Sequence, residues 1–216
     1  MNILITAGPT HEAIDPVRYL SNRSSGKMGY ALAEAARDAG HKVVLVTGPT
    51  ALPRPGAMTI VTVETAQQMF EAVREYLVDQ DVAIFAAAVA DFRPVQVAAQ
   101  KIKKTENELM LCLEKTPDIL GSARSVFGFK GVLAGFAAET QDVLAHAQAK
   151  LQSKGCDLLV ANDVSREGIG FDSEENEVIL LFPAAAPRPL PRGPKTGIAR
   201  EIIRIVTELA SPQTIP

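Results

Sequence analysis

Short apolar, β-favouring runs spaced by helix-length stretches constrain this chain more than any other feature. Ile3-Leu4-Ile5-Thr6 is the first such run, and it stops at the breaker cluster Ala7-Gly8-Pro9-Thr10. A long connection, Thr10 to Ser25, follows. Gly26-Lys27-Met28-Gly29 then opens a helix predicted to run through Asp38 and to stop at Gly40, and Lys42 to Thr47 forms a second strand. The unit is β-α-β with an unusually long first crossover.

The same alternation continues. After the turn-rich stretch Gly48 to Gly56, Met58 to Val63 reads as a strand. Thr65-Ala66-Gln67-Gln68 has the form of a capping box ahead of a helix carrying Met69, Phe70, Val73 and Leu77. Val82 to Ala87 is apolar at every position, as a central parallel strand covered on both faces requires. Val132 to Phe136 and Leu158 to Ala161 are further strands, with a helix from Asp142 to Lys154 between them that ends at Gly155. Thr116-Pro117-Asp118-Ile119-Leu120 places proline in the first turn of a short helix capped by Thr116. Glu177 to Phe182 is a strand preceded by a polar turn, Phe171 to Asn176. Ala184 to Arg192 is proline-rich and expected to be irregular, and Thr196 to Leu209 is a terminal helix. This order argues for an α/β fold: a doubly wound, Rossmann-like, mainly parallel sheet. Between Phe92 and Lys115 the helical period is absent, and Leu109, Leu111 and Leu113 alternate with other residues, which predicts a small β flap. With 216 residues, the chain is read as one nucleotide-binding domain, residues 1–216, with that flap over roughly 92–115.

In such sheets ligands sit outside the carboxyl ends of the strands. Gly8, Ala88 to Asp91 and Phe136 to Thr140 all follow strands and are therefore expected to converge. The start of the first helix adds an anion site. Unpaired N–H groups and the positive dipole end meet Ser24, Ser25, Gly26 and Lys27 there. The alternative is a Ser/Gly-rich helix cap with an exposed lysine and no ligand. Neither common phosphate signature fits: Pro9 breaks a dinucleotide fingerprint, and Met28 stands where a P-loop needs Ser or Thr. The long connection also carries Arg18 and Asn22, and loops of that length in compact domains are usually functional or disordered.

Composition excludes several classes. A formal charge of −3 leaves no electrostatic footprint for nucleic acid. The longest apolar run, Val82 to Ala90, is too short to span a bilayer, and no basic leader precedes the first strand, so the cytoplasm is the expected compartment. Two distant cysteines, Cys112 and Cys156, and three scattered histidines form no metal motif, disulfide framework or nucleophile constellation.

Ile14-Asp15-Pro16-Val17-Arg18 with Ser21-Asn22-Arg23-Ser24-Ser25-Gly26-Lys27-Met28-Gly29 resembles the phosphopantothenate–cysteine ligase family of coenzyme A synthesis, of the bacterial CTP-dependent type. The likeness continues at Ala86-Ala87-Ala88-Val89-Ala90-Asp91-Phe92-Arg93-Pro94, at Lys101-Ile102-Lys103-Lys104 and at Thr116 to Leu120. Gly135 to Thr140 and Ala161 to Ser165 complete it. These blocks are in order and span nearly the whole chain.

The resemblance implies that CTP and 4′-phosphopantothenate form an acyl-cytidylate and pyrophosphate, after which the amine of L-cysteine displaces CMP. It implies Mg²⁺ with the nucleotide, a homodimer, and no flavin, since the flavin-bearing domain that many relatives carry is not in this sequence. Asn22 matches the asparagine beside the reacting acyl group and Lys101 the first lysine of the flap run; both are implied to be catalytic. Arg18, Ser24, Ser25, Gly26 and Lys27 are implied to bind substrate phosphate. Phe85, Ala86, Ala87, Asp91, Lys101, Pro117, Asp118, Ile119, Leu120, Phe136, Lys150 and Lys154 are implied to bind the nucleotide. Glu139 and Asp163 also follow strands, but no role is assigned to them. One departure stands out: the family's Gly-Gly-Thr after the first strand is Gly8-Pro9-Thr10 here, which removes a backbone donor. Two other readings use the same sheet: a nicotinamide- or flavin-dependent oxidoreductase, and a non-catalytic nucleotide-binding module.

Overall fold

A computed structural model describes residues 1–104, 108–139, 141–163 and 173–211. Eight strands form the central sheet: β1 (Asn2–Ala7), β4 (Lys42–Thr47), β5 (Thr59–Thr62), β6 (Val82–Phe85), β9 (Val132–Glu139), β10 (Leu158–Asp163), β11 (Glu175–Phe182) and β12 (Ala185–Pro194). Their order is β12-β11-β10-β9-β6-β1-β4-β5; the six strands from β10 to β5 run parallel, and β11 and β12 are antiparallel additions. The chain moves outward from β1 through β4 and β5, then returns to β6 on the other side of β1. That reversal places the switch point, and hence the cleft, at the carboxyl ends of β1 and β6.

Period-2 alternation splits β1 between two cores. Ile3, Ile5 and Ala7 pack with α1 (Lys27–Asp38) and α5 (Lys195–Ala210) on one face. Leu4 packs with α2 (Ala66–Tyr76), α3 (Ile119–Ser125) and α4 (Val143–Lys154) on the other. All four residues of β6 are buried, as its unbroken apolar run requires. Local signals set several boundaries. The Thr65 hydroxyl accepts from Gln68 N–H while the Gln68 side chain accepts from Thr65 N–H, closing the capping box of α2. Gly155 ends α4 in the left-handed conformation.

Elsewhere the structure departs from expectation. The connection Thr10 to Ser25 contains a hairpin, β2 (His11–Ala13) paired with β3 (Tyr19–Ser21), with His11 and Tyr19 rings stacked at 3.8 Å. Three-residue strands carry too little alternation to be read from sequence. Asp118, not Thr116, caps α3: its carboxylate accepts from Gly121 N–H at 2.9 Å, while the Thr116 hydroxyl donates to Ala90 O at 2.6 Å. The proline-rich segment expected to be irregular is β12, on the sheet edge. Proline is tolerated there because one side of an edge strand needs no donors. Glu175 and Asn176, expected in a polar turn, begin β11; Phe171 and Asp172 lie outside the described residues. In the flap region, β7 (Phe92–Pro94) pairs antiparallel with β8 (Leu113–Lys115).

Candidate functional site

A cleft of about 920 Å³ lies at the carboxyl ends of the parallel strands, within the size range of small-molecule sites. The start of α1 forms one part of its wall. Gly26 adopts φ 81°, a conformation that costs other residues strain, and it lets the chain turn into the helix close against Thr50. Gly29 faces Ala7 so closely that a Cβ there would stand 2.5 Å from the Ala7 Cβ. The first turn of α1 is thus seated directly on β1. Gly26 offers no side chain to cap it, so the helix start keeps the character of an anion site.

Ser24, Ser25, Gly26 and Lys27 all line the cleft. Lys27 Nζ pairs with the Glu174 carboxylate at 2.6 Å, and this contact holds Glu174 below its ordinary acid range. Asn22 lines the same cleft. Its side-chain amide donates to the Ala88 and Val89 carbonyls at 3.2 and 3.0 Å, tying the end of the hairpin to the segment after β6. Phe85, Ala86, Ala87 and Asp91 continue that wall. Gly8 does not line the cleft but anchors it, since its carbonyl accepts from Ala88 N–H at 2.9 Å.

Across the cleft, Pro117, Asp118, Ile119 and Leu120 at the start of α3 face Phe136 on β9 and Lys150 and Lys154 on α4. Lys150 Nζ donates to the Phe136 carbonyl at 2.9 Å, and Lys154 pairs with the Asp118 carboxylate. Burial works to raise the Asp118 pKa, but Lys154, the Gly121 N–H and Lys150 outweigh it and the net shift is downward. Asp118 is therefore an anion that caps a helix and holds a cation in place.

Arg18 and Lys101 stand outside this wall. Arg18 makes a bidentate pair with Asp15, Nε at 2.9 Å and Nη2 at 2.5 Å from one oxygen. Lys101 is exposed at the base of the flap, one residue before the Ile102 backbone that contacts both Asp15 and Arg18. The side chains of Glu139 and Asp163, and Thr140 altogether, lie outside the described residues.

Several polar residues of the wall had no role assigned from the sequence, among them Asn162 on β10, Asn176 on β11 and Lys195 at the start of α5. Asn176 and Lys195 are buried polar side chains, and the Asn162 Oδ1 is buried without a hydrogen-bond partner, an acceptor set beside the cleft. Asn162 sits inside a sequence block already singled out. The other two had no local signal, because β11 and α5 bury them only after the sheet has formed.

A family model described as the DNA/pantothenate metabolism flavoprotein C-terminal domain matches residues 1–209. The chain is 48% identical over 210 residues to the coenzyme A biosynthesis bifunctional protein CoaBC of Vibrio vulnificus strain YJ016, covering 96% of this chain and 52% of that protein. It is 44% identical over 213 residues to CoaBC of Bacillus subtilis strain 168, covering 97% and 52%. It thus spans about half the length of these curated relatives. Among solved structures, the C-terminal domain of a CoaBC superposes with a TM-score of 0.81 at 44% identity, covering 96% of this chain and 95% of that one. A DNA/pantothenate metabolism flavoprotein from Streptococcus pneumoniae gives 0.84 at 26% identity, covering 97% and 99%.

Proposed function

The chain belongs to the DNA/pantothenate metabolism flavoprotein C-terminal domain family, and on that premise we propose that it is a phosphopantothenate–cysteine ligase. Its substrates in this reading are CTP, 4′-phosphopantothenate and L-cysteine, joined through an acyl-cytidylate. One observation carries the proposal: a single cleft whose wall holds an anion-binding helix start, the Asn22 amide and the Asp118–Lys154 and Lys150 cluster beside Phe136.

A carboxylate is a poor acyl donor because oxide leaves badly. Joining it to a nucleotide phosphate makes the leaving group a stable phosphate monoester, which a positioned amine can displace without any covalent enzyme intermediate. The protein's task is then placement and charge neutralisation. The first turn of α1, with Ser24, Ser25 and Lys27, binds a phosphate group; Glu174 competes with that phosphate for the Lys27 ammonium. Phe136, Pro117 and Leu120 give the nucleotide apolar surface, and Lys150 and Lys154 sit beside it. Asn22 stabilises the oxyanion that forms when the amine attacks. Because its two N–H bonds now reach Ala88 and Val89, it does so by exchanging one of those carbonyls for the substrate oxygen. Lys101 supplies a cation from the flap. At about 4 Å from a phosphate oxygen, one lysine contributes roughly 4 kcal/mol at an effective dielectric near 20.

Mg²⁺ accompanies the nucleotide in this proposal. Among the described residues no three His, Cys, Asp or Glu side chains gather to cage a metal. Asp91 is an exposed carboxylate in the cleft wall, and Asp118 is committed to Lys154 and Gly121. That donor set fits Mg²⁺, which is typically held by one or two carboxylates plus substrate phosphates. Asp91 would hold it, and the ion would neutralise phosphate charge. A homodimer is proposed on the apolar side chains exposed along the flap, including Val97 at 57% and Met110 at 91%. Cytoplasmic residence is proposed too; among the described residues no helix is long and apolar enough to cross a membrane.

The test is pyrophosphate release from CTP with 4′-phosphopantothenate, with and without L-cysteine, using ATP in place of CTP and NADPH binding as controls. Release that depends on 4′-phosphopantothenate and favours CTP supports the proposal. NADPH binding without pyrophosphate from either nucleotide overturns it.

A further inference from the structure

Asp15 is buried in the turn between β2 and β3, yet it does not line the cleft. Its two oxygens do different work. Oδ1 accepts from Val17 N–H at 2.8 Å and Arg18 N–H at 2.9 Å, which closes the turn locally. Oδ2 accepts from Arg18 Nε and Nη2 and also from Ile102 N–H at 3.1 Å, 87 residues away. Arg18 Nη2 donates onward to the Ile102 carbonyl at 3.0 Å. The Ile102 backbone is therefore gripped on both its polar groups by one ion pair. A second bond, Ala98 N–H to Ile14 O at 3.0 Å, extends the same seam.

A turn needs only the Oδ1 half of this arrangement. The Oδ2 half, together with the Ala98–Ile14 bond, joins the hairpin that precedes Asn22 to the stretch that carries Lys101. We propose that Asp15 is a positioning residue whose carboxylate, acting with Arg18 through the Ile102 backbone, sets where Lys101 stands relative to Asn22. The inference rests on the ligase reading above and deepens it. It places the two proposed catalytic residues on one mechanical unit, clamped where the flap leaves the body of the protein. Asp15 takes no part in the chemistry itself, because all of its acceptor capacity is filled from within the chain.

Asp15→Asn leaves one acceptor oxygen and puts an N–H₂ where the other stood, so the turn and the clamp are no longer satisfied together. A double-mutant cycle with Lys101→Ala separates positioning from general weakening. In the wild-type background Asp15→Asn is expected to slow pyrophosphate release by about tenfold, the change expected when one charge-assisted bond is lost. In the Lys101→Ala background it is expected to slow release less than about twofold, because the group it positions is gone. The thermal shift should be the same in both backgrounds. An equal slowing in both overturns the proposal, and so does a Lys101→Ala enzyme as fast as wild type. Wild-type protein that releases no pyrophosphate marks failure of the ligase reading itself. Hydrogen exchange on the unmodified protein needs no variant to fold: the Ile102 amide should be protected by roughly 10² or more, and exchange at the free-peptide rate refutes the clamp.

Discussion

Gly29→Ala tests whether the seating of α1 on β1 sets the proposed anion site. The added Cβ would stand 2.5 Å from the Ala7 Cβ, 3.0 Å from its Cα and 3.2 Å from the Thr6 carbonyl oxygen. Carbon atoms rest about 3.5–4.0 Å apart, so the two backbones must separate by roughly 1 Å. Strand β1 has nowhere to go. It is paired on both sides, to β4 and β6, and Ala7 is fully buried. The helix start must therefore lift, carrying Ser25, Gly26 and Lys27 with it. Overpacking of this kind costs about 1–3 kcal/mol, and alanine returns about 1 kcal/mol of helix propensity, leaving a net loss of up to about 2 kcal/mol. For a chain of this size a loss of about 2 kcal/mol lowers the Tm by about 4–8 °C. If the α1 start binds the substrate phosphate as proposed, the activity loss should be larger, about 10²-fold, the cost of a displacement near 1 Å at a positioning element. Gly197→Ala is the control. It lies on an exposed face of α5 with no atom within 4 Å of the added Cβ, and is expected to raise the Tm slightly. Differential scanning calorimetry and pyrophosphate release read both variants. Wild-type Tm and activity in Gly29→Ala would show that contact with β1 does not fix the start of α1.

Two further predictions concern ionisable groups away from the cleft. Arg204 and then Arg188 hold the Glu201 carboxyl down to about 2 from its usual 4.5, against some burial; a depressed carboxylate stabilises above the unfolded value and loses that contribution as pH falls through the folded one. Glu201→Gln should therefore lower the Tm by about 1–3 °C at pH 7, with the gap closing between pH 4.5 and 2 in a melting series; a gap independent of pH would contradict the assignment. Burial pushes the Cys156 thiol up to about 11, while Cys112 is exposed. An aromatic disulfide reagent at pH 8 should titrate one thiol rapidly in native protein and the second only on unfolding, and rapid reaction of both would show the site of Cys156 to be open.

Where a boundary depends on residues close in sequence, it could be read in advance. The start of α1 at Lys27, both ends of β4 and the capping box of α2 all rest on glycines, hydroxyls or amides within a few positions. The boundaries that resisted reading depend on distant partners. Thr116 looks like a helix cap beside Pro117, but Ala90 takes its hydroxyl and leaves the role to Asp118. The prolines of β12 forbid a central strand, yet at the edge of the sheet, beside β11, they are acceptable. The site divides the same way. Asn22, Lys27, Asp91, Phe136, Lys150 and Lys154 lie in segments whose resemblance marks them, and the fold brings them to one cleft. Asn176 and Lys195 reach it only because β11 and α5 cover the last parallel strand. The same resemblance marks Arg18 and Lys101, but neither lines the cleft: Arg18 pairs with Asp15 and reaches the carbonyl of Ile102, the residue after Lys101.

In the proposed reaction one cleft carries out two chemical steps, with Asn22 serving the second. Quenched-flow analysis of Asn22→Ala with radiolabelled CTP and 4′-phosphopantothenate, before and after addition of L-cysteine, resolves the two steps. The expected result is pyrophosphate and acyl-cytidylate formed at near wild-type rate, with amide product slowed by about 10²–10³-fold. Equal slowing of both steps would contradict the division of labour.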